Sequence, residues 1–157
     1  MRIAAFAASP EPDRPSDLCS PLFQVTTRNA TLQFRHSFEF NPNMSLAVLE
    51  ISIGGRAFED IVESGGSFAQ NGYNVRATPP SGSSVSEEPR RERQAWSGNS
   101  RGYLISKVNL PARAAGHAIQ LGWRLLGERA TAGQGWYVDE VAVKEYPLTS
   151  LRPMGAN

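Results

Sequence analysis

The chain has 157 residues, 40% of them hydrophobic and 20% charged, with a net charge of +1. That length suits one domain, able to bury roughly 70% of its unfolded surface without covalent staples. The near-neutral balance excludes a global attraction to nucleic acid or anionic membrane; no apolar run approaches the ~20 residues of a membrane span; and Cys19, the single cysteine, excludes an intrachain disulfide or a cysteine metal cluster.

Fourteen glycines and eleven prolines favour a turn-rich β fold over a helical one. Met1 to Ala8 has a basic start and a small-residue end, but is shorter than a secretory apolar core requires. Ser9 to Pro21 carries four prolines among Asp and Ser, so residues 1–21 read as an extended, irregular lead-in. Leu22 to Thr27 has Phe23 and Val25 in phase and reads as a first strand, which Asn29-Ala30 turns into the next.

The clearest pattern lies between Thr31 and Gly54. Leu32, Phe34, Phe38 and Phe40 alternate with Thr31, Gln33, Arg35 and Glu39, so one face of a strand meets a core and the other meets water. After the turn-forming Asn41-Pro42-Asn43, the residues Ala47, Leu49, Ile51 and Ile53 repeat the period and Gly54-Gly55 closes it. Two such strands joined by a short polar loop predict an antiparallel hairpin. Ala57 to Val62 then reads as a short strand pairing back.

From Glu63 to Ser100 the pattern dissolves into Gly65-Gly66, Asn71-Gly72, Pro79-Pro80 and Ser81-Gly82-Ser83-Ser84. The mixed-charge run Glu87 to Arg93 follows, and its glutamates temper the basic residues into a solvated loop. A connection this long is unusual in a compact domain and is often functional. Order returns at Trp96-Ser97-Gly98-Asn99, then in Tyr103 to Leu110, in Ile119, Leu121, Trp123 and Leu125, and in Trp136 to Val143. Ala112 to Gly116 is too short for an independent helix. Seven or eight strands with one excursion over about residues 63–100 predict an antiparallel β-sandwich of jelly-roll type, spanning 22–146 and followed by a tail over 147–157.

Candidate chemistry is sparse. His36 and His117 are the only histidines, and no Gly-x-Ser-x-Gly or phosphate-cradling loop precedes a helix. His36 shares the phase of Phe34 and Phe38, where a hydrogen-bonded structural histidine is the default. Ser97 reads as a turn serine. If Tyr137, Val141 and Val143 face inward, Asp139 does too, and a buried carboxylate must be paired, hydrogen-bonded or bound to a cation. Glu39, Glu50, Asp13 and Asp17 are further oxygen donors that Ca2+, which takes six to eight oxygens, could recruit with Asp139. Alternatively Asp139 caps backbone amides or pairs with Arg35 or Arg124. Trp96 and Tyr73, beside the long loop, are candidates for a sugar-stacking platform, and Arg90, Arg91 and Arg93 for a binding patch.

Several segments occur in an order that resembles a known domain: Phe34 to Glu39, Val48 to Gly54, Phe58 to Ile61, Gly72-Tyr73-Asn74, Arg93 to Ser100, Val108 to Pro111 and Gly135 to Val141. Together they are similar to the jelly-roll accessory domains of immune-inhibitor-A-type metalloproteases, found in large secreted or surface bacterial proteins, and more distantly to MAM domains. The resemblance covers about residues 5–145. One departure is Ser45-Leu46-Ala47, where that family has Asp-Gly-Gly before Val-Leu-Glu-Ile. The resemblance implies a non-catalytic module in an extracellular, periplasmic or cell-surface setting. The expectation from the chain as a whole is a binding or assembly module with a protein partner, docking on a larger protein assembly through its termini and the loop-rich end built from Glu63 to Ser100, or alternatively a carbohydrate-binding module with a glycan ligand.

Overall fold

A computed structural model describes residues 2–7, 16–40, 45–78, 92–127 and 135–145. In these residues the chain is an all-β sandwich of antiparallel sheets packed on each other. The strands are β1 (Arg2–Ala7), β2 (Ser16–Cys19), β3 (Phe23–Val25), β4 (Thr31–Glu39), β5 (Ser45–Ile53) and β6 (Glu59–Asp60). There follow β7 (Ser67–Gln70), β8 (Val75–Ala77), β9 (Arg93–Ala95), β10 (Leu104–Asn109), β11 (His117–Gly127) and β12 (Gly135–Lys144). The segment from Ala112 to Ala114 forms one 3-10 turn.

The first sheet runs β1-β12-β4-β10-β7, and the second runs β2-β11-β5-β6 with β3 also on β11. The two strongly alternating segments, β4 and β5, therefore do not form the hairpin that their spacing predicts. β4 pairs with β10 and β12, whereas β5 pairs with β11 and β6, in the opposite sheet. The physical reason lies in the pattern itself. Each strand carries one large apolar face, and placing the two across the sandwich lets Phe34 and Phe38 meet Leu49 and Ile51 in one core.

The lead-in also departs from the irregular reading. β1 pairs with β12 and β2 with β11, so both flank the sandwich as sheet strands. Backbone hydrogen bonding needs no apolar period, which is why these short segments escape a pattern search. Within the long excursion, β7 joins the first sheet through β10, and β8 and β9 form a separate two-stranded ribbon.

The core between the sheets holds Leu32, Phe34, Phe38, Ile51, Leu121, Trp96, Trp123 and Trp136. β5 is buried along its whole length, on both faces. Its inner face, Ala47, Leu49, Ile51 and Ile53, belongs to the main core. Its outer residues Leu46 and Val48 join Leu126 and Ala95 in a second, smaller cluster, against which Val75 and Ala77 of the ribbon pack. A side chain of this kind contributes about 1.5–3 kcal/mol when fully buried, which is enough to hold the ribbon down. Phe58 covers the same outer face further along: a Cβ on Gly122 would lie 3.2 Å from its ring, so a larger residue there would make the ring shift by a few tenths of an ångström.

Candidate binding surface

Three polar knots, around His36, Asp60 and Glu50, hold candidate residues in place. His36 is fully buried in β4, on the inner face with Phe34 and Phe38, as its phase predicts. The indole N–H of Trp136 can only donate, and it meets His36 Nδ1 at 3.1 Å. The proton therefore resides on Nε2, which donates to Ser106 Oγ at 2.8 Å. Ser106 passes the chain on by donating to the Asn71 carbonyl at 2.7 Å. Burial pushes the His36 pKa down to about 4. Both ring nitrogens are committed, so the group is a neutral structural histidine.

A second knot joins Tyr73, Asp60 and Arg93. Tyr73 Oη donates to Asp60 Oδ2 at 2.7 Å and accepts from the Leu49 N–H at 3.0 Å. Burial, followed by the Asp60 carboxylate, holds the phenol well above its ordinary range. Asp60 Oδ1 accepts from the Val62 N–H at 2.8 Å, and Arg93 lies 3.4 Å from Oδ2. This ion pair fastens β9, and with it the ribbon, to the body of the sandwich. Arg93 and Tyr73 are thus internal fasteners here, and not a surface patch. Arg90 and Arg91 lie outside the described residues.

The third knot involves Glu50, on the outer face of the second sheet, where Arg124 Nε reaches its Oε1 at 3.0 Å. The position of Asp139 is a correction. Trp136 and Val138 face inward, so Tyr137 and Asp139 face outward, and a bulge between Asp139 and Ala142 resets the phase before Val141 turns in. Glu140, at φ +50°, is the inserted residue. Asp139 caps a backbone amide by accepting from the Glu140 N–H at 2.8 Å, the alternative to a cation set out above. Glu39 is exposed and opposite Gly135, four residues along the sheet from Asp139, or about 13 Å. Asp139, Glu39 and Glu50 therefore do not converge: two are spread along one sheet and the third is on the outside of the other. Among the described residues no group of three or more His, Cys, Asp or Glu is placed to hold a metal ion. Asp13 lies outside the described residues.

Trp96 is the second correction. It is 1% exposed, at the centre of an aromatic cluster with Phe34, His36, Phe68, Tyr73 and Trp136, so no sugar ring can stack on it. Its backbone bridges Ala47, and its indole N–H donates to the Gly72 carbonyl at 2.9 Å. Ser97 is a turn serine, donating to the Ser45 carbonyl at 2.7 Å.

What remains is an asymmetry between the outsides of the two sheets. The second sheet is overlaid by the ribbon and by Phe58. The outer face of the first sheet carries the polar phase of β4, β10 and β12: Gln33, Arg35, Lys107, Asn109, Asp139 and Lys144. Two large apolar residues stand exposed on it, Tyr103 at 49% and Ile105 at 41%. The Arg35 guanidinium lies 4.1 Å from the centre of the Tyr103 ring, a cation–π contact between β4 and the residue just before β10. Beside them, a cleft of about 220 Å³ opens over Gln33 between β10 and β12. Sequence reasoning found the outward phase of β4 but missed Lys107 and Lys144. The alternation of β10 was readable, but its place beside β4 was not.

The sequence matches no protein-family model, and no curated protein matches it.

Proposed function

We propose that this chain is a non-catalytic binding or assembly module, an accessory subunit or domain that docks on a larger protein assembly. The observation that carries this reading is the unequal dressing of the two sheets. One outer face is partly covered by the ribbon and Phe58, while the other presents Tyr103 and Ile105 within a rim of charged and amide side chains. An exposed apolar centre inside a polar rim is the composition of a protein–protein contact. The commitment of both His36 nitrogens to Trp136 and Ser106 supports a scaffold rather than a reaction centre. The motifs shared with secreted accessory domains support the same reading and a location outside the cytoplasm.

The test is site-specific photocrosslinking. A crosslinking side chain at Ile105, in the open face, is expected to give a discrete adduct in extracts of the source cells. The same group at Val62, which is 37% exposed at the rim beyond β6, is expected to give none. No adduct from Ile105, or the same adducts from both positions, refutes docking through this face.

A second reading, a carbohydrate-binding module, is favoured by one observation: Tyr103 offers an exposed ring on a sheet face that also carries Gln33 and Asn109. With Trp96 in the core, Tyr103 takes over the stacking role. Binding to a glycan array that disappears in Tyr103→Ala but persists in Ile105→Ala would favour it.

A further inference from the structure

We infer that the cleft over Gln33 is an anion seat, and that it receives an acidic, extended segment of the protein partner. This rests on the docking reading above and adds the chemistry of what docks. The floor of the cleft is Thr31 and Gln33 of β4; Lys107 and Asn109 of β10 stand on one side, Ala142 and Lys144 of β12 on the other. The two lysines are two strand spacings apart across the sheet and two residues apart along it, about 12 Å, and straddle the floor.

Neither lysine has an acidic partner among the described residues. The acid nearest in sequence is turned away from the cleft. Glu145 follows Lys144, but its carboxylate accepts from the backbone N–H groups of Thr26 and Thr27 at 2.7 and 2.9 Å and from both hydroxyls. Those bonds, the Thr27 amide first, hold its pKa below the usual range. Of the acids on or beside the open face, Glu39 is at the far end, opposite Gly135. Asp139, opposite Arg35, stands one outward position beyond Gln33, and the exposed Glu140 lies at the bulge between Asp139 and Ala142, but none of the three makes an ion pair with either lysine. Two ammonium groups thus face one cleft without an ion-pair partner among the described residues, which is charge complementarity toward an anion.

The lining chooses among anions. It contains no aromatic ring, so a sugar ring has nothing to stack on there. Gln33 and Asn109 instead offer amides, each of which both donates and accepts, as a peptide backbone requires. In an extended peptide, side chains two residues apart lie on one face about 7 Å apart, and two flexible lysine stems span the remaining distance. A segment with Glu or Asp at alternate positions therefore places one carboxylate at Lys107 and the next at Lys144.

The experiment uses the full chain and fluorescein-labelled hexaglutamate, read by anisotropy, with hexalysine and an oligogalacturonate as competing probes. Binding to hexaglutamate is expected, weakening as salt rises because both lysines are exposed. Lys107→Glu with Lys144→Glu is expected to weaken it by about tenfold or more, and Lys107→Arg with Lys144→Arg to keep it. Neither pair of changes removes a packed contact, and unchanged thermal melting verifies that. No binding of hexaglutamate, binding unchanged by the double reversal, or tighter binding of oligogalacturonate each overturns the inference. The two readings fail separately: if the wild-type chain gives the Ile105 crosslink but binds no hexaglutamate, the face docks a partner and the anion seat is wrong, whereas hexaglutamate binding without the Ile105 crosslink refutes docking through this face.

Discussion

Acidification gives the sharpest check on the buried hydrogen-bond chain at His36. The folded protein holds His36 neutral with a pKa of about 4, against 6.5 in an exposed histidine. A group whose folded pKa is lowered binds fewer protons folded than unfolded between those two values. Stability is therefore full above about pH 6.5 and falls as the pH drops toward 4. For a shift of this size, linkage gives a loss of about 2–3 kcal/mol between about pH 7.5 and pH 4.5. Burial is the cause of the shift, and the geometry works in the same direction: a proton on Nδ1 would face the Trp136 N–H, another donor, at 3.1 Å. The assay is urea unfolding followed by tryptophan fluorescence, in the wild type and in His36→Gln, which offers a donor and an acceptor but does not titrate. Carboxylates lose stability with acid in both proteins, so the quantity to read is the difference between them. The wild type is expected to lose its advantage over His36→Gln across this window. Parallel curves would mean that the imidazole is not held neutral by burial, and the assignment of its proton to Nε2 would fall with it.

Other expectations follow from the packing. Trp96→Ala should destabilise by about 3–5 kcal/mol, the cost of emptying a large aromatic site in a core; a loss of ligand binding with unchanged melting would return Trp96 to the surface. Tyr73→Phe should cost about 1–3 kcal/mol, because the Leu49 amide and one Asp60 oxygen lose a buried partner, and hydrogen exchange should quicken first in β8 and β9. Gly72→Ala should destabilise strongly: its Cβ would lie 2.8 Å from the Phe68 Cβ and Cγ, and Phe68 is wedged between Tyr73 and Trp96. A Gly72→Ala protein that melts with the wild type would show that this contact is slack.

The class of fold was legible before any coordinates. Alternating apolar residues in β4, β10 and β11 demanded two sheets around one core, and the phase of His36 announced a buried imidazole, because side chains two apart on a strand must share a face. Turn residues placed the Gly54-Gly55 reversal and the short return strand β6. Those signals are local, and local chemistry decides them.

Partnership was not legible. β4 and β5 each carry a face that wants burial, and nothing in either segment says whether they meet edge to edge or across the core; only the competition among all the strands set them in opposite sheets. A one-residue bulge at Glu140 turned Asp139 outward, because one inserted residue exchanges the faces of everything beyond it. Trp96 looked like a loop aromatic until its bridge to Ala47 carried it between the sheets. The open face, with Lys107 and Lys144 across Gln33, likewise exists only through register, which joins residues far apart in the chain. Alternation along the chain fixed what must be hidden, and the pairing of distant strands decided what is left on view.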